Sequence, residues 1–149
     1  MYKKTAIATG VLAMAAASAS WAAQGVSDTE IVLGLNTDLS GPVANYGKES
    51  RNGMNMAVEQ INERGGIHGR KIRLVVEDHA YDPRKAIMAA QKLVHQDQVF
   101  AVLGTLGTAT SMASLPILVD SKVFSFMPQG ASKGLYDPPS PYKVALSPS

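Results

Sequence analysis

The 149-residue chain has no cysteine and carries 14 Lys and Arg against 12 Asp and Glu, a formal net charge of +2. Without thiols, disulfide bridges, thiol catalysis and cysteine-ligated metals are excluded. The sequence has no basic patch with interleaved aromatic residues, so it does not favour a nucleic-acid partner.

The first 22 residues are typical of a secretory signal peptide. Two lysines precede an apolar, alanine-rich run at residues 5–17, and small residues follow it. This run is shorter than the roughly 20 apolar residues that a membrane-spanning helix needs. We predict cleavage after Ala22, with Ala19 and Ala23 as alternatives, and export of the chain. Loss of the two lysines leaves 12 basic and 12 acidic residues, so the exported chain is neutral.

Strand-like apolar runs alternate with helical patterns along the rest of the chain. Alternation of this kind predicts an α/β fold, a doubly wound parallel sheet with right-handed crossovers. In chain order the segments are EIVLGLNTDLSG, a strand entering a loop, the helix MNMAVEQINERGG, the strand GRKIRLVVED, the helix YDPRKAIMAAQKLVHQD, the strand VFAVLG, the helix TATSMASLPILVDSK and the strands VFSFM and YKVALS.

The helix ends are marked by residues with known roles. Gly65 and Gly66 follow the first helix and predict its C-cap. Asp82 is the predicted N-cap of the second helix, with Pro83 at the first helical position. Pro116 lies inside the third helix, where a missing N–H is expected to kink or split it.

Ligands of doubly wound folds bind beyond the carboxyl ends of the strands. Three loops rich in Gly, Ser, Thr or Asn follow apolar strands, at residues 36–46, 105–110 and 128–132. The segment GTLGTAT, residues 104–110, offers open N–H groups and hydroxyls at a helix start, which suits an anion. It lacks the lysine of a phosphate-binding P-loop, so a carboxylate fits better. A plain helix cap is the alternative.

Other chemistry has weaker support in the sequence. His68, His79 and His95 are too scattered for a metal motif. No carboxylate pair, Ser-His-Asp spacing or Gly-x-Ser-x-Gly motif indicates catalysis. Tyr46 lies in a glycine- and asparagine-rich segment and is a candidate aromatic wall for a ligand.

Six short motifs together are more specific than any one of them. They are SGP, YG, INERGGIHGRK, YDPRKA, GTLGTATS and PQGAS. In combination they resemble the periplasmic leucine/isoleucine/valine-binding protein family, the substrate-binding components of branched-chain amino-acid ABC transporters. The resemblance covers essentially the whole exported chain. It implies a two-lobed type I periplasmic binding protein that closes on its ligand, with residues 23–149 forming the N-terminal lobe and a second lobe missing.

The resemblance also implies roles for particular loops. The loop after the third strand would bind the ligand carboxylate through a hydroxyl and backbone N–H groups. The loop after the fourth strand would offer a carbonyl to the ligand ammonium and a hydroxyl to the carboxylate, while an aromatic residue lines the ligand side chain. Matched onto this sequence, the predicted ligand-binding residues are Tyr46, Leu106, Gly107, Thr108, Gly130, Ala131 and Ser132. No cofactor, metal or catalytic residue is expected.

Two departures from the family bear on the pocket. Family members carry a disulfide between the loops after the second and third strands, and the matching positions here are Tyr81 and Gly107. Both cysteines are absent together, which supports the alignment and implies a freer loop after the third strand. Gln129 is a further departure, because the family pattern runs from proline directly into small residues.

The expected function is non-enzymatic binding of a small carboxylate-bearing ligand, delivered to the membrane permease of an ABC importer. A branched-chain amino acid is the default ligand, and aromatic acids, amides and urea stay open. A sensor module for a signalling partner is an alternative. A secreted α/β enzyme is less favoured because the sequence shows no nucleophile–base pair.

Overall fold

The structure is a computed structural model that describes residues 23–145. The predicted signal peptide and its cleavage site at Ala22 lie outside the described residues, as do residues 146–149, so the signal peptide stays a prediction. Within residues 23–145, none of the helices combines the length and the apolar character needed to cross a membrane.

Five parallel strands form one sheet in the order β2-β1-β3-β4-β5. The chain moves from β1 outward to β2 and then returns past β1 to β3. The strand order therefore reverses between β1 and β3, which is where doubly wound sheets open a crevice for ligands. The predicted fold class is confirmed. The strands are β1 Glu30–Thr37, β2 Lys71–Asp78, β3 Ala101–Leu103, β4 Phe124–Phe126 and β5 Lys143–Val144.

Three helices connect the strands: α1 Ala44–Glu63, α2 Pro83–His95 and α3 Thr108–Asp120. A short 3-10 turn, Lys133–Leu135, precedes β5. On one face of the sheet α2 and α3 pack together over a common core of apolar side chains. Its members are Val32, Ala90, Leu93, Val94, Val99, Val102, Leu118 and Val123.

The first helix starts ten residues before the segment that its apolar spacing predicted. The Asp38 carboxylate accepts the N–H groups of Ser40 at 3.2 Å and Val43 at 2.9 Å, which shapes a turn leading directly into Ala44. The first half of α1 is polar and has only one buried residue, Gly47. Its sequence therefore lacks the regular spacing of apolar residues by which a helix is predicted. Tyr46 therefore lies in the first turn of α1, and its assignment to a loop was wrong.

The predicted helix ends are confirmed. Asp82 is the N-cap of α2 and directly precedes Pro83. Its carboxylate accepts the N–H groups of Arg84 at 2.7 Å and Lys85 at 3.2 Å. At the end of α1 the N–H groups of two successive glycines bond back to the carbonyls of Asn62 and Ile61. Those glycines, residues 65–66, complete a Schellman motif.

Pro116 lies inside α3 without dividing it, because the helix runs from Thr108 to Asp120. Of the two outcomes expected from the sequence, a split does not occur. Leu115 and Leu118 are buried on either side of the proline. Burial of these two side chains offsets the loss of one backbone hydrogen bond.

Candidate ligand-binding cleft

A cleft of about 400 Å³ opens at the carboxyl edge of the sheet. It lies between the start of α1, the β2–α2 loop and the loops that follow β3 and β4. Six of the seven predicted site residues line it. The lining residues are Val43, Tyr46, Tyr81, Leu106, Gly107, Thr108, Gln129, Gly130 and Ala131.

Ser132 is the predicted site residue that does not line this cleft. It is the N-cap of the 3-10 turn, and its Oγ accepts the N–H of Gly134 at 3.3 Å. This local bond turns the side chain toward its own backbone, as serine does at helix starts. Ligand contact by any of the seven residues stays a prediction.

Backbone hydrogen bonds join the loops after β3 and β4 beyond the ends of those strands. Leu106 and Gln129 form a parallel bridge. The Gln129 N–H donates to the Thr105 carbonyl at 2.8 Å, and the Gly107 N–H donates to the Gln129 carbonyl at 3.0 Å. The loop after β3 is thus fastened to its neighbour although the chain has no disulfide there.

Most hydroxyls of the loop after β3 stabilise the loop itself. Thr105, Thr110 and Ser111 are buried. The Thr110 hydroxyl donates to the Gly107 carbonyl at 3.0 Å, and the Ser111 hydroxyl donates to the Thr105 carbonyl at 3.0 Å. These side chains shape the turn from inside, and only the exposed Thr108 presents its hydroxyl to the cleft.

Thr108 and the start of α3 form the polar wall of the cleft. The Thr108 Oγ1 accepts the Ala131 N–H at 3.1 Å, which leaves the hydroxyl proton free to donate to another group. Gly107 is the N-cap and offers no side-chain acceptor. Among residues 23–145, no acceptor bonds the N–H groups of residues 108–110. The positive end of α3 is open to an anion at the cleft.

Tyr81 lines the cleft at the position matched to one half of the family disulfide. Its backbone is left-handed, with φ of 59°, and its N–H donates to Nδ1 of His79 at 2.9 Å. The ring covers Gly107 so closely that a Cβ there would lie 2.6 Å from Cε2 of Tyr81. The two matched positions are therefore neighbours in space, as the alignment requires.

Sequence reasoning missed three lining residues: Val43, Tyr81 and Gln129. The position of Tyr81 could have been found, because the β2–α2 loop leaves the same sheet edge as the three loops that were singled out. Gln129 carried a signal as well, since it departs from the family pattern. Its side chain donates to Oγ of Ser50 at 3.1 Å and so connects α1 to the loop after β4.

The acidic residues near the cleft are bonded to the backbone. Asp78 accepts the N–H groups of Leu39 at 2.9 Å and Ala80 at 2.8 Å. Burial raises the pKa of Asp78, but hydrogen bonds from the Ser40 side chain and these N–H groups lower it below its usual value. No acidic side chain is among the residues lining the cleft. Within the described part of the chain, no group of three or more His, Asp or Glu side chains could hold a metal ion.

Comparison with known proteins identifies the family. Residues 30–149 match the family described as periplasmic binding protein. The Leu/Ile/Val-binding protein BraC3 of Rhizobium johnstonii is 33% identical over 91% of this chain and 35% of its own length. The chain thus spans about a third of the length of this relative.

Solved structures agree with this assignment. The branched-chain amino acid transporter substrate binding protein LivJ of Streptococcus pneumoniae, solved in complex with isoleucine, is 29% identical, with a TM-score of 0.67 over 71% of this chain and 30% of its own. A fatty acid ABC transporter substrate-binding protein from Thermomonospora curvata is 35% identical, with a TM-score of 0.71 over 76% of this chain and 28% of its own. The five-stranded parallel α/β domain has the type I periplasmic binding fold, and the chain belongs to the periplasmic binding protein family.

Proposed function

We propose that the protein is the extracytoplasmic solute-binding component of an ABC importer and binds a small carboxylate-bearing ligand in the cleft. A branched-chain amino acid is the default ligand, in keeping with the names of the relatives from Rhizobium johnstonii and Streptococcus pneumoniae. The relative from Thermomonospora curvata is named for fatty acids, which also carry a carboxylate. A shared carboxylate is thus the chemical feature that these names have in common.

The start of α3 is the observation that carries this proposal. It combines a glycine N-cap, unbonded N–H groups at residues 108–110 and the free hydroxyl proton of Thr108. Hydrogen bonds from N–H groups to a carboxylate are charge-assisted and stronger than neutral ones. Gly130 and Ala131 line the same cleft, and a backbone carbonyl of their loop is the proposed acceptor for a ligand ammonium.

The other walls of the cleft suit an apolar side chain. Val43 and the rings of Tyr46 and Tyr81 also line the cleft, and the Tyr81 ring lies against Gly107. Tyr46 is 68% exposed and Tyr81 is 38% exposed, so a ligand held here would leave much of the aromatic surface in water. We infer that residues 23–149 are the N-terminal lobe and that a second lobe covers this side when ligand binds.

The proposed setting is the periplasm. The signal peptide would be removed after Ala22, and the loaded protein would dock on a membrane permease. The proposed role is binding and release without chemical change, as expected for a family of binding proteins.

A ligand panel on the exported full-length protein tests the proposal. L-Leucine, L-isoleucine and L-valine should raise the melting temperature, because a ligand that binds only the folded state stabilises it by mass action. Leucinamide, which keeps the side chain and the ammonium but lacks the carboxylate, is the matched control and should have little effect. Isovalerate, 4-hydroxybenzoate and urea complete the panel. Stabilisation by leucinamide or urea but by none of the acids would contradict a carboxylate site.

A further inference from the structure

His79 lies directly behind the cleft and is completely buried, with 0% of its surface exposed. It follows β2, and its own N–H donates to the carbonyl of Thr37 at 2.9 Å. The Nδ1 atom of its ring accepts the N–H of Tyr81 at 2.9 Å, and the two rings lie 6.5 Å apart. One buried imidazole is therefore bonded to the backbone of a residue that lines the cleft.

The direction of this bond determines where the ring carries its proton. Because Nδ1 accepts from Tyr81, the neutral ring must be protonated on Nε2. That nitrogen is buried and makes no hydrogen bond of good geometry within residues 23–145, although the nearby Leu106 backbone favours the charged ring. Protonation of the neutral ring can occur only at Nδ1, where the new proton would face the Tyr81 N–H. Two donors would then point at each other with no acceptor between them.

Tyr81 depends on that bond more than an ordinary residue would. A left-handed backbone is unfavourable for a tyrosine and persists only where the surroundings hold it. Two contacts hold Tyr81 in place: its N–H donates to the His79 ring, and its own ring packs on Gly107. We propose that His79 is a positioning residue of the ligand cleft: the neutral ring holds Tyr81 over Gly107, and protonation of the ring releases Tyr81 and weakens ligand binding. This inference rests on the proposed function.

The charged groups around His79 and the burial of its ring have opposite effects on the ring's pKa. The β1–α1 loop contributes Asp38 and the end of β2 contributes Asp78, and both carboxylates favour the charged ring. The β2–α2 loop contributes the Tyr81 phenol, whereas residues 104–107 and the buried face of α2 carry no titratable side chain. Burial outweighs the carboxylates and lowers the pKa of His79 below its usual value of 6.5. The neutral ring is thus the form expected at neutral pH, and the charged form appears only in acid.

An NMR titration without ligand tests the structural half of the proposal. In the exported full-length protein, the amide signals of Tyr81 and Gly107 should shift with the same midpoint as the His79 ring, below pH 6.5. In His79→Asn they should not follow that midpoint, because Asn offers an acceptor to the Tyr81 N–H but cannot become charged. His68→Asn is the matched control: His68 is exposed, with φ of 50°, a left-handed conformation that Asn tolerates.

Calorimetry with L-leucine tests the coupling to binding. The dissociation constant of the parent should rise as the pH falls through the midpoint of the amide titration, which lies below pH 6.5, by at most about tenfold per pH unit, the limit for one proton. The His68→Asn control should match the parent, and His79→Asn should bind with nearly constant affinity. If leucine binds at no pH tested, the proposed ligand is wrong, and the amide titration still decides the role of His79.

Three results would overturn the inference. One is a neutral His79 ring with its proton on Nδ1. Another is that the amide signals of Tyr81 and Gly107 do not shift when His79 ionises. The third is leucine affinity in the parent that stays flat while those amides titrate. Each result can be obtained from the parent protein, so poor folding of the His79→Asn variant would not prevent the test.

Discussion

The two helices that start at the carboxyl edge of the sheet after β2 and β3 begin in opposite ways, although α2 and α3 are each 13 residues long. The start of α2 is capped by an anion of the protein itself, because the Asp82 carboxylate accepts two N–H groups of the first turn. Pro83, the first residue of α2, has no N–H that needs an acceptor. The helix α3 opens on Gly107, and its first turn contains no acidic residue.

This contrast distinguishes a helix start that completes the fold from one that is available to a ligand. At α2 the partial positive charge of the helix end is neutralised within the chain. At α3 the equivalent charge faces a cleft, next to a hydroxyl whose proton is free. A sequence scan for helix starts finds both. They differ in the source of the anion, which is a side chain of the protein at α2 and would be a bound ligand at α3.

The largest expected effect comes from Gly107→Ala, which would close the open helix start. An added Cβ would lie 2.6 Å from Tyr81 Cε2 and 2.8 Å from Thr110 Oγ1, at a φ of 96°. Overpacking and backbone strain should together lower the free energy of unfolding by about 3 kcal/mol or more. Urea denaturation measures this. Gly65→Ala, at a φ of 101° with open space around it, isolates the backbone strain and should cost less. Equal losses would contradict the packing of Tyr81 on Gly107.

Thr108→Val removes the hydroxyl from the polar wall at nearly constant volume. If Thr108 donates to a ligand carboxylate, leucine affinity should fall by about 1.5–3 kcal/mol, roughly 10- to 150-fold. Thr108→Ser keeps the hydroxyl and should bind nearly as well as the parent. Titration calorimetry on the full-length protein compares the three. Equal affinity of the valine and serine variants would mean that the hydroxyl serves only the Ala131 N–H.

Asp82→Ala removes the internal anion of α2 and should lower stability without weakening leucine binding. The N–H groups of Lys85 and Arg84 lower the pKa of Asp82 below its usual 3.8. The cap therefore contributes fully above pH 3.8 and loses its contribution as pH falls through the lower, folded-state pKa. Thermal melts between pH 2 and pH 7 should show a smaller difference between parent and variant in acid. Asp82→Asn should stay close to the parent at neutral pH. A loss of affinity as large as that of Thr108→Val would argue against separate roles for the two helix starts.

Ala109→Glu would give α3 an anion of its own and is expected to have the smallest effect on stability. Ala109 is exposed in the first turn, so a carboxylate there should stabilise the helix by about 0.3–1 kcal/mol. The same charge should weaken leucine binding, because it repels the ligand carboxylate. Ala109→Gln controls for side-chain size. Stability and affinity should thus change in opposite directions, and tighter leucine binding by the Glu variant would contradict the anion-site interpretation.

Local features of the sequence predicted most of the fold. Alternating apolar runs indicated the parallel sheet, and Asp82-Pro83 and Gly65-Gly66 marked helix ends that the structure confirms. These signals work because a cap or a C-terminal turn involves residues within five positions of one another. The start of α1 was missed because it depends on the Asp38 carboxylate rather than on an apolar period.

By itself, the sequence determined three of the loops at the carboxyl edge of the sheet and that the loop after β3 begins a helix without an acidic cap. Only the tertiary structure decided which side chains face the cleft. Thr110 and Thr108 are two residues apart on one helix turn, yet burial turns the first hydroxyl inward while the second stays exposed. Tyr81 and Gly107 are 26 positions apart and meet because β2 and β3 flank β1. Contacts of this kind depend on strand order and packing, which bring together residues that no local pattern relates.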